Sequence, residues 1–549
     1  MAKPKINLDK KYGLFIGGEF VEGETEETLD VYCPADGNFL SSITQASEKD
    51  VDKAVEAAWE GFKEYKKTNK YERAEILNKI ADIIDENADH LAMVETLDNG
   101  KPIRETKNID IPLASEHFRY FAGAILAEEG SANAIDENTL SIVLREPLGV
   151  VGQIIPWNFP FLMAAWKLSP ALAAGDAVVI KPSSTTSLSL LELMKLIKDV
   201  VPKGVINVVT GSGSKSGEYL QHHEGLSKLA FTGSTEVGYK IAGAAAEKLI
   251  PATLELGGKS ANIFFDDCDM DLAIEGLAMG ILFNQGQVCC AGSRVFVHEN
   301  IYDEFVEKAI AKFEEVKVGL PWEEDTQIGA QVNKSQIEKV LGYVEIAKKE
   351  GATIAVGGEK ATKNGTENGY FTMPTLITNV RNDMKVATDE IFGPVAVVIK
   401  FSDEDEVIKL ANDSQYGLAG AVWTKDINKA LRVARGIETG RVWVNTYNQL
   451  PAGAPFGGYK KSGIGRENHK MMLDAYSQVK NIFIDTSEKS SGLYWLKFKI
   501  RFLGGFTFEW SLFLRKILLF NNVEKYKMKS KCDKINIINK IIIGVMSWV

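Results

Sequence analysis

Residues 150–181, VVGQIIPWNFPFLMAAWKLSPALAAGDAVVIK, decide the fold. Positions 150–155 are an apolar run that reads as a strand buried on both faces, as a central strand of a parallel sheet is. Pro156 ends it. A helix follows through Ala173 and is stopped by Gly175, and 177–180 is a second buried strand. The order then recurs: a third strand at 205–209, a Gly-rich turn and a short helix, and a fourth strand at 228–231 that passes through Thr232-Gly233-Ser234-Thr235 into another helix. Strand, helix, strand in succession predicts a parallel, doubly wound α/β sheet, because parallel neighbours need a crossover helix to return the chain.

A second series starts after Gly258, with strands near 261–265, 294–297, 395–401, 419–423 and 441–445 and amphipathic helices between them. It predicts a second α/β domain, with Gly257-Gly258 as the hinge. Ahead of the first series, 47–65 and 71–96 read as surface helices of the first domain, the former opened by Ser47-x-x-Asp50 in the manner of a capping box. No internal repeat stands out.

With 549 residues the chain exceeds one ordinary core, and its 45% apolar and 25% charged residues are those of a globular protein. The net charge of −11 is unevenly spread: residues 495–549 carry +8 and the rest −19. An acidic body excludes nucleic acid as the main partner, since phosphate binding relies on clustered Lys and Arg. Cysteines 33, 268, 289, 290 and 532 make neither a disulfide framework nor a CxxC pair. A reducing, cytoplasmic setting is therefore expected, and no metal site. The Lys-rich start lacks the apolar run of a signal peptide.

Three segments have the residue types for chemistry. Cys289, in Phe283-Asn-Gln-Gly-Gln-Val-Cys289-Cys290, follows a Gly-containing turn whose backbone N–H groups can face a developing anion. A free cysteine is more often a small buried apolar residue than a nucleophile, so the reading depends on its company. Glu255, in Leu254-Glu255-Leu256-Gly257-Gly258-Lys259, ends an apolar strand; an unpartnered buried carboxyl there would serve as a general base near neutral pH, whereas a surface Glu would be inert. Asn158, in Pro156-Trp157-Asn158-Phe159-Pro160, offers an amide donor in a rigid turn, suited to an oxyanion.

In this order the three segments resemble the aldehyde dehydrogenase superfamily, bacterial cytoplasmic members in particular. The resemblance covers roughly residues 10–494, with further marks at Asn99-Gly100-Lys101-Pro102, Lys181-Pro182-Ser183, Phe231-Thr232-Gly233-Ser234, Glu390-Ile391-Phe392-Gly393-Pro394 and Pro455-Phe456-Gly457-Gly458. It implies oxidation of an aldehyde to the carboxylic acid with NAD(P)+ and water. Cys289 would attack as a thiolate, the Asn158 amide and the Cys289 backbone N–H would hold the oxyanion, and Glu255 would activate the water that hydrolyses the thioester. Lys167 and Glu467 would pass the proton onward, although an amphipathic Lys and a first-turn Glu also have structural explanations. Cys290 is the competing thiol; the family motif places the reactive sulfur at Cys289.

The cofactor implied is NAD+, with NADP+ as the alternative. The loop Gly211-Ser-Gly213-Ser-Lys-Ser-Gly217 has one residue too many between its last two glycines for a dinucleotide fingerprint. The resemblance instead puts the pyrophosphate at Gly233-x-x-x-x-Gly238, with Ser234 at a helix N-terminus. Gly213 and Gly217 would lie beside the adenine, Lys181 at the adenosine ribose, Glu390 at the nicotinamide ribose and Phe392 against the nicotinamide end. Pro156, Trp157, Phe231, Leu256 and Gly257 complete that set, which Glu255 adjoins. Ser184 stands where many NAD-preferring members carry Glu, which would bind both ribose hydroxyls and repel a 2′-phosphate. Its short neutral side chain leaves NADP+ open.

For the aldehyde, the resemblance offers Phe159, Met163, Trp166, Phe283, Leu450 and Phe456, an apolar channel suited to small aliphatic or aromatic aldehydes. Betaine aldehyde, a quaternary ammonium compound, would favour Tyr and Trp faces. A CoA-acylating relative would not need Glu255, and a non-catalytic one would have no use for Asn158, Glu255 and Cys289 together.

The domains implied are a Rossmann-like dinucleotide-binding domain at 10–128 and 148–257, an α/β catalytic domain at 258–475, and a small β arm at 129–147 and 476–494 through which a homodimer or homotetramer would pair. Residues 495–549 are an atypical extension. Within it 502–520 is apolar but broken by Glu509, Arg515 and Lys516, and 535–549 is short and contains Lys540, so a membrane anchor is not expected. Its Lys, Asn, Ile and Phe read as an appended segment outside the folded enzyme.

Overall fold

In a computed structural model the stretch 150–181 folds as strand Val150–Ile154, helix Pro160–Ala174 and strand Ala177–Lys181. Every residue of that helix is buried, so it shows no polar face. Pro160 stands in its first turn, where no N–H is needed, and Gly175 closes it at φ +99°. The structure describes residues 3–489 and the backbone of two short antiparallel strands, Lys499–Arg501 and Thr507–Glu509. The rest of the extension, with the reading given to it, lies outside the described residues.

The first sheet has eight strands. Ala252–Glu255, Lys228–Thr232, Val150–Ile154, Ala177–Lys181 and Ile206–Val208 run parallel in that order. Both edges are antiparallel: Leu14–Ile16 with Glu19–Val21 on one side, Gly463–Ile464 on the other. Gly463–Ile464 comes from the segment that the sequence assigns to the second domain, yet it pairs with Ala252–Glu255 of the first.

The second sheet has seven strands, in the order Thr353–Val356, Thr375–Thr378, Val395–Phe401, Arg294–His298, Ala261–Phe264, Ala419–Trp423 and Arg441–Val444. Five were expected; Thr353–Val356 and Thr375–Thr378 were not. Each is only four residues long, too short to show a period, and Thr353–Val356 is a bulged antiparallel edge.

Helix Glu48–Tyr65 carries the expected capping box from Ser47 and Asp50. The expected helix at 71–96 is instead two, Lys70–Glu86 and Ala88–Asn99, parted at Asn87, whose ψ of 18° leaves the helical region while its side chain donates back to the Ile83 carbonyl at 2.8 Å. Nor is the second of them a surface helix: 94–99 are all buried. Residues 3–131 and 143–481 belong to one compact unit, which holds both α/β sheets; of the other described residues, 132–142 and 482–489 belong to another. Ser131–Ala134, Thr139–Pro147 and Ser477–Asp485 form a three-stranded sheet. Among the described residues no helix is long and apolar enough to cross a membrane, and no cluster of His, Cys, Asp and Glu could hold a metal.

Candidate active site

Helix Met270–Leu282 ends in a turn that bends sharply: Asn284 and Gln285, neither a glycine, both have left-handed backbones at φ 47° and 54°. Such a pair persists only where its surroundings over-determine it. Here buried groups do so. Glu105 accepts the Asn284 backbone N–H at 3.0 Å, Asn284 Nδ2 donates to the Asn158 carbonyl at 2.7 Å, and Gln287 Oε1 accepts the Val332 N–H at 3.0 Å. The turn delivers Cys289 to a cavity. Cys290 is fully buried, its thiol 3.5 Å from Asn448 Oδ1 and its carbonyl receiving the Tyr447 hydroxyl at 2.9 Å. Cys289 alone of the two is partly exposed. Its thiol is held well above the ordinary range, first by a hydrogen bond with Cys290 and then by burial.

Glu255 ends strand Ala252–Glu255 and is buried with neither carboxyl oxygen hydrogen-bonded. Gly457 makes the room: a Cβ there would lie 2.7 Å from Glu255 Oε1. Burial, reinforced by the nearby Glu467 carboxylate, pushes the Glu255 carboxyl well up, while Lys167 opposes the shift. Lys167 and Glu467 form a buried ion pair, each 1% exposed. Glu467 is not in the first turn of a helix, as its sequence context indicated; it sits in an antiparallel bridge with Phe456, bonded at 2.6 and 2.8 Å. The Asn158 side chain donates one N–H to the Gln287 carbonyl at 2.8 Å, and an amide carries two.

A single cavity is lined by Asn158, Glu255 and Cys289 together. It meets Phe159, Met163, Trp166, Phe283, Leu450 and Phe456, the whole expected aldehyde set. It also meets Pro156, Trp157, Gly233, Ser234, Leu256, Gly257, Glu390 and Phe392. Ser234 caps helix Thr235–Glu247, and Glu390 accepts the Gly258 N–H at 2.9 Å. Phe392, in a left-handed backbone, sets its ring edge-on to Trp157 at 5.2 Å. These residues fit a dinucleotide: a helix N-terminus on the cavity wall for the pyrophosphate, and a Thr232 hydroxyl that is buried and unbonded there.

The other expected cofactor residues lie off this cavity. Gly217 packs on Lys181, where a Cβ would come within 3.5 Å of Cε, and Gly213–Gly217 forms a π-turn. Lys181 is buried, donates to the Pro182 carbonyl at 2.8 Å, and is lowered by that burial to about 8. Ser184 is half-buried. Phe231 packs beneath Gly233. Sequence reading missed Gln336, Lys339, Asn448, Ile109 and Leu113 on the cavity wall. The first two sit one turn apart in helix Lys334–Lys349, where they read as an ordinary polar face.

Comparison with known proteins agrees with this geometry. The aldehyde dehydrogenase family profile matches residues 20–482. An aldehyde dehydrogenase of Deinococcus radiodurans is 48% identical over 495 residues, 89% of this chain and 96% of that one. This chain belongs to the aldehyde dehydrogenase family. It is accordingly an NAD(P)+-dependent oxidoreductase that oxidises aldehydes. Among solved aldehyde dehydrogenases, the NAD+ complex of the Bacillus cereus enzyme is 44% identical with a TM-score of 0.85, covering 88% of this chain and 100% of its own. Betaine aldehyde dehydrogenase from Staphylococcus aureus, in complex with NAD+, is 39% identical with a TM-score of 0.86, covering 89% and 97%.

Proposed function

We propose that this aldehyde dehydrogenase works through Cys289, Glu255 and Asn158, on small aliphatic or aromatic aldehydes. The observation that carries the assignment is the one cavity whose wall contains all three residues together with the apolar set and most of the dinucleotide set. Bound NAD(P)+ supplies the two-electron acceptor. Cys289 adds to the aldehyde carbon as the thiolate, and the free N–H of the Asn158 amide, with the Cys289 backbone N–H, holds the oxygen as the negative charge moves onto it. Oxidation leaves an acyl group on Cys289 as a thioester. Glu255 takes one proton from the water that attacks this thioester, the other stays on the carboxylic acid, Cys289 leaves as the thiolate, and the Lys167–Glu467 pair accepts the proton from Glu255.

Met163 and Leu450 supply no ring face, so Phe159, Trp166, Phe283 and Phe456 do not close into a full cage for a cation, which favours uncharged aldehydes. The Staphylococcus aureus relative supports a second reading, betaine aldehyde. Initial rates of NADH formation with hexanal, benzaldehyde and betaine aldehyde test both. A kcat/KM for betaine aldehyde above the other two rejects the apolar assignment.

Free cysteines support a reducing, cytoplasmic location. Strand Ser477–Asp485, with Val479 60% and Phe483 63% exposed, supports self-association through the β arm. In this reading the dinucleotide-binding domain spans 10–128 and 148–257, the catalytic domain 258–475, and the β arm 129–147 and 476–494.

A further inference from the structure

The strained turn ahead of Cys289 is bonded by a residue that the mechanism above does not use. We infer that Glu105 is a positioning residue for the nucleophile: its carboxyl holds the Asn284 backbone N–H so that the left-handed turn presents Cys289 and Asn158 to the same point. The inference rests on the assignment of Cys289 and Asn158 proposed above.

Three observations carry it. First, the bond from Asn284 N–H to Glu105 Oε2, at 3.0 Å, reaches the first of the two left-handed residues. That same Asn284 donates its side chain to the Asn158 carbonyl at 2.7 Å, so one residue ties the turn to both groups. Second, Glu105 is placed by an irregularity of the chain. It ends the three-residue helix Ile103–Glu105, and the π-turn Thr106–Asp110 follows at once. π-turns are uncommon and concentrate at functional sites.

Third, Glu105 is a poor choice for packing alone. It is 5% exposed, in a region that also buries Glu95, Asp98 and Asp110, and Lys101 is the cation within reach, 2.6 Å from Asp110 and 4.0 Å from Glu95. Burial pushes the Glu105 carboxyl up to about 8, against the opposing charges of Lys101 and Arg104 and with Asp110 adding to the rise. An apolar residue would fill the space without that penalty. What an apolar residue cannot do is accept the Asn284 N–H, which would otherwise be buried without a partner.

Two conservative variants separate the acceptor from the carboxyl. Glu105→Gln keeps an oxygen at the same reach and removes the carboxyl; Glu105→Asp keeps the carboxyl and withdraws the oxygen. We expect Glu105→Gln to hold kcat within about 3-fold and Glu105→Asp to lose about 30- to 100-fold, with KM for NAD+ within about 3-fold in both. Alkylation of Cys289 by iodoacetamide in the cofactor-free protein should change at least about 5-fold in Glu105→Asp and less than about 2-fold in Glu105→Gln. Glycine adopts a left-handed backbone freely, so in an Asn284→Gly background the Glu105→Asp loss should shrink to below about 5-fold. Wild-type kcat and alkylation in Glu105→Asp, an equal or greater loss in Glu105→Gln, or an undiminished loss in the glycine background each overturns the inference. Failure of the underlying assignment is distinct: Cys289→Ala would retain activity whatever residue 105 is.

Discussion

Cys289 and Cys290 both line the cavity, but Cys289 is partly exposed to it whereas Cys290 is fully buried, its thiol beside Asn448 and its carbonyl bonded to Tyr447. Cys289→Ala is therefore expected to lower kcat about 1,000-fold or more, while Cys290→Ala keeps it within about 10-fold, measured as steady-state NADH formation. Equal losses would reassign the nucleophile. Because the Cys289 thiol is held well above its ordinary range, its alkylation rate should keep climbing between pH 7 and 9 without a plateau. Glu255 differs in kind. Glu255→Gln should permit a first burst of NADH and then stall at the thioester, with steady-state turnover down about 100-fold. The same variant should be more stable than wild type. A carboxyl whose folded pKa is raised binds its proton more tightly folded than unfolded, so its contribution is intact below the unfolded value and is lost as pH rises toward the folded one. Glu255→Gln escapes that loss: its melting temperature should exceed wild type by about 1–3 °C at pH 8 and converge with it near pH 5. A wild type that is the more stable at pH 8 would mean that the carboxyl finds a partner in solution.

At the scale of elements, the Gly257-Gly258 connection matters for closeness more than for flexibility. A Cβ on Gly258 would stand 1.9 Å from the Cys289 carbonyl oxygen, a collision with backbone that cannot swing aside. Gly258→Ala should displace the nucleophile segment and reduce kcat at least about 10-fold, with cooperative unfolding preserved. The adenosine end offers a second test. Ser184→Glu is expected to move the kcat/KM ratio toward NAD+ at the expense of NADP+; an unchanged ratio would place the preference elsewhere. These elements also show what sequence can and cannot reveal. Long buried runs such as 150–155 and 395–401 were legible because hydrophobic patterning marks them, and the three segments that bring Asn158, Glu255 and Cys289 to one cavity because together, in that order, they resemble the family's motifs. Thr353–Val356 and Thr375–Thr378 were too short to carry a pattern, and the break at Asn87 lies inside an otherwise helical composition. Glu105 and Gln336 were illegible for another reason. Their roles depend on a chain segment about 180 or 55 positions away, the contacts to Asn284 and to the Ile391 and Phe392 carbonyls, and no local spacing encodes such a meeting.

For the whole molecule, the family match ends at residue 482, and the two sheets and the cavity lie within residues 3–481. Truncation after Tyr494 is thus expected to leave kcat and KM within about 2-fold and the oligomer unchanged by size-exclusion chromatography. Loss of activity, or a full-length protein that sediments with membranes, would give the extension a role. The pairing of Gly463–Ile464 with Ala252–Glu255 has a consequence for biosynthesis. A chain leaving the ribosome exposes its N-terminal half first, and that half would ordinarily fold while the remainder is still being made. Here strand Ala252–Glu255, which carries the proposed base, keeps an open edge until residues 463–464 emerge. Nascent chains paused before that point should be protease-sensitive and held by chaperones, and should become resistant together once the last edge is translated.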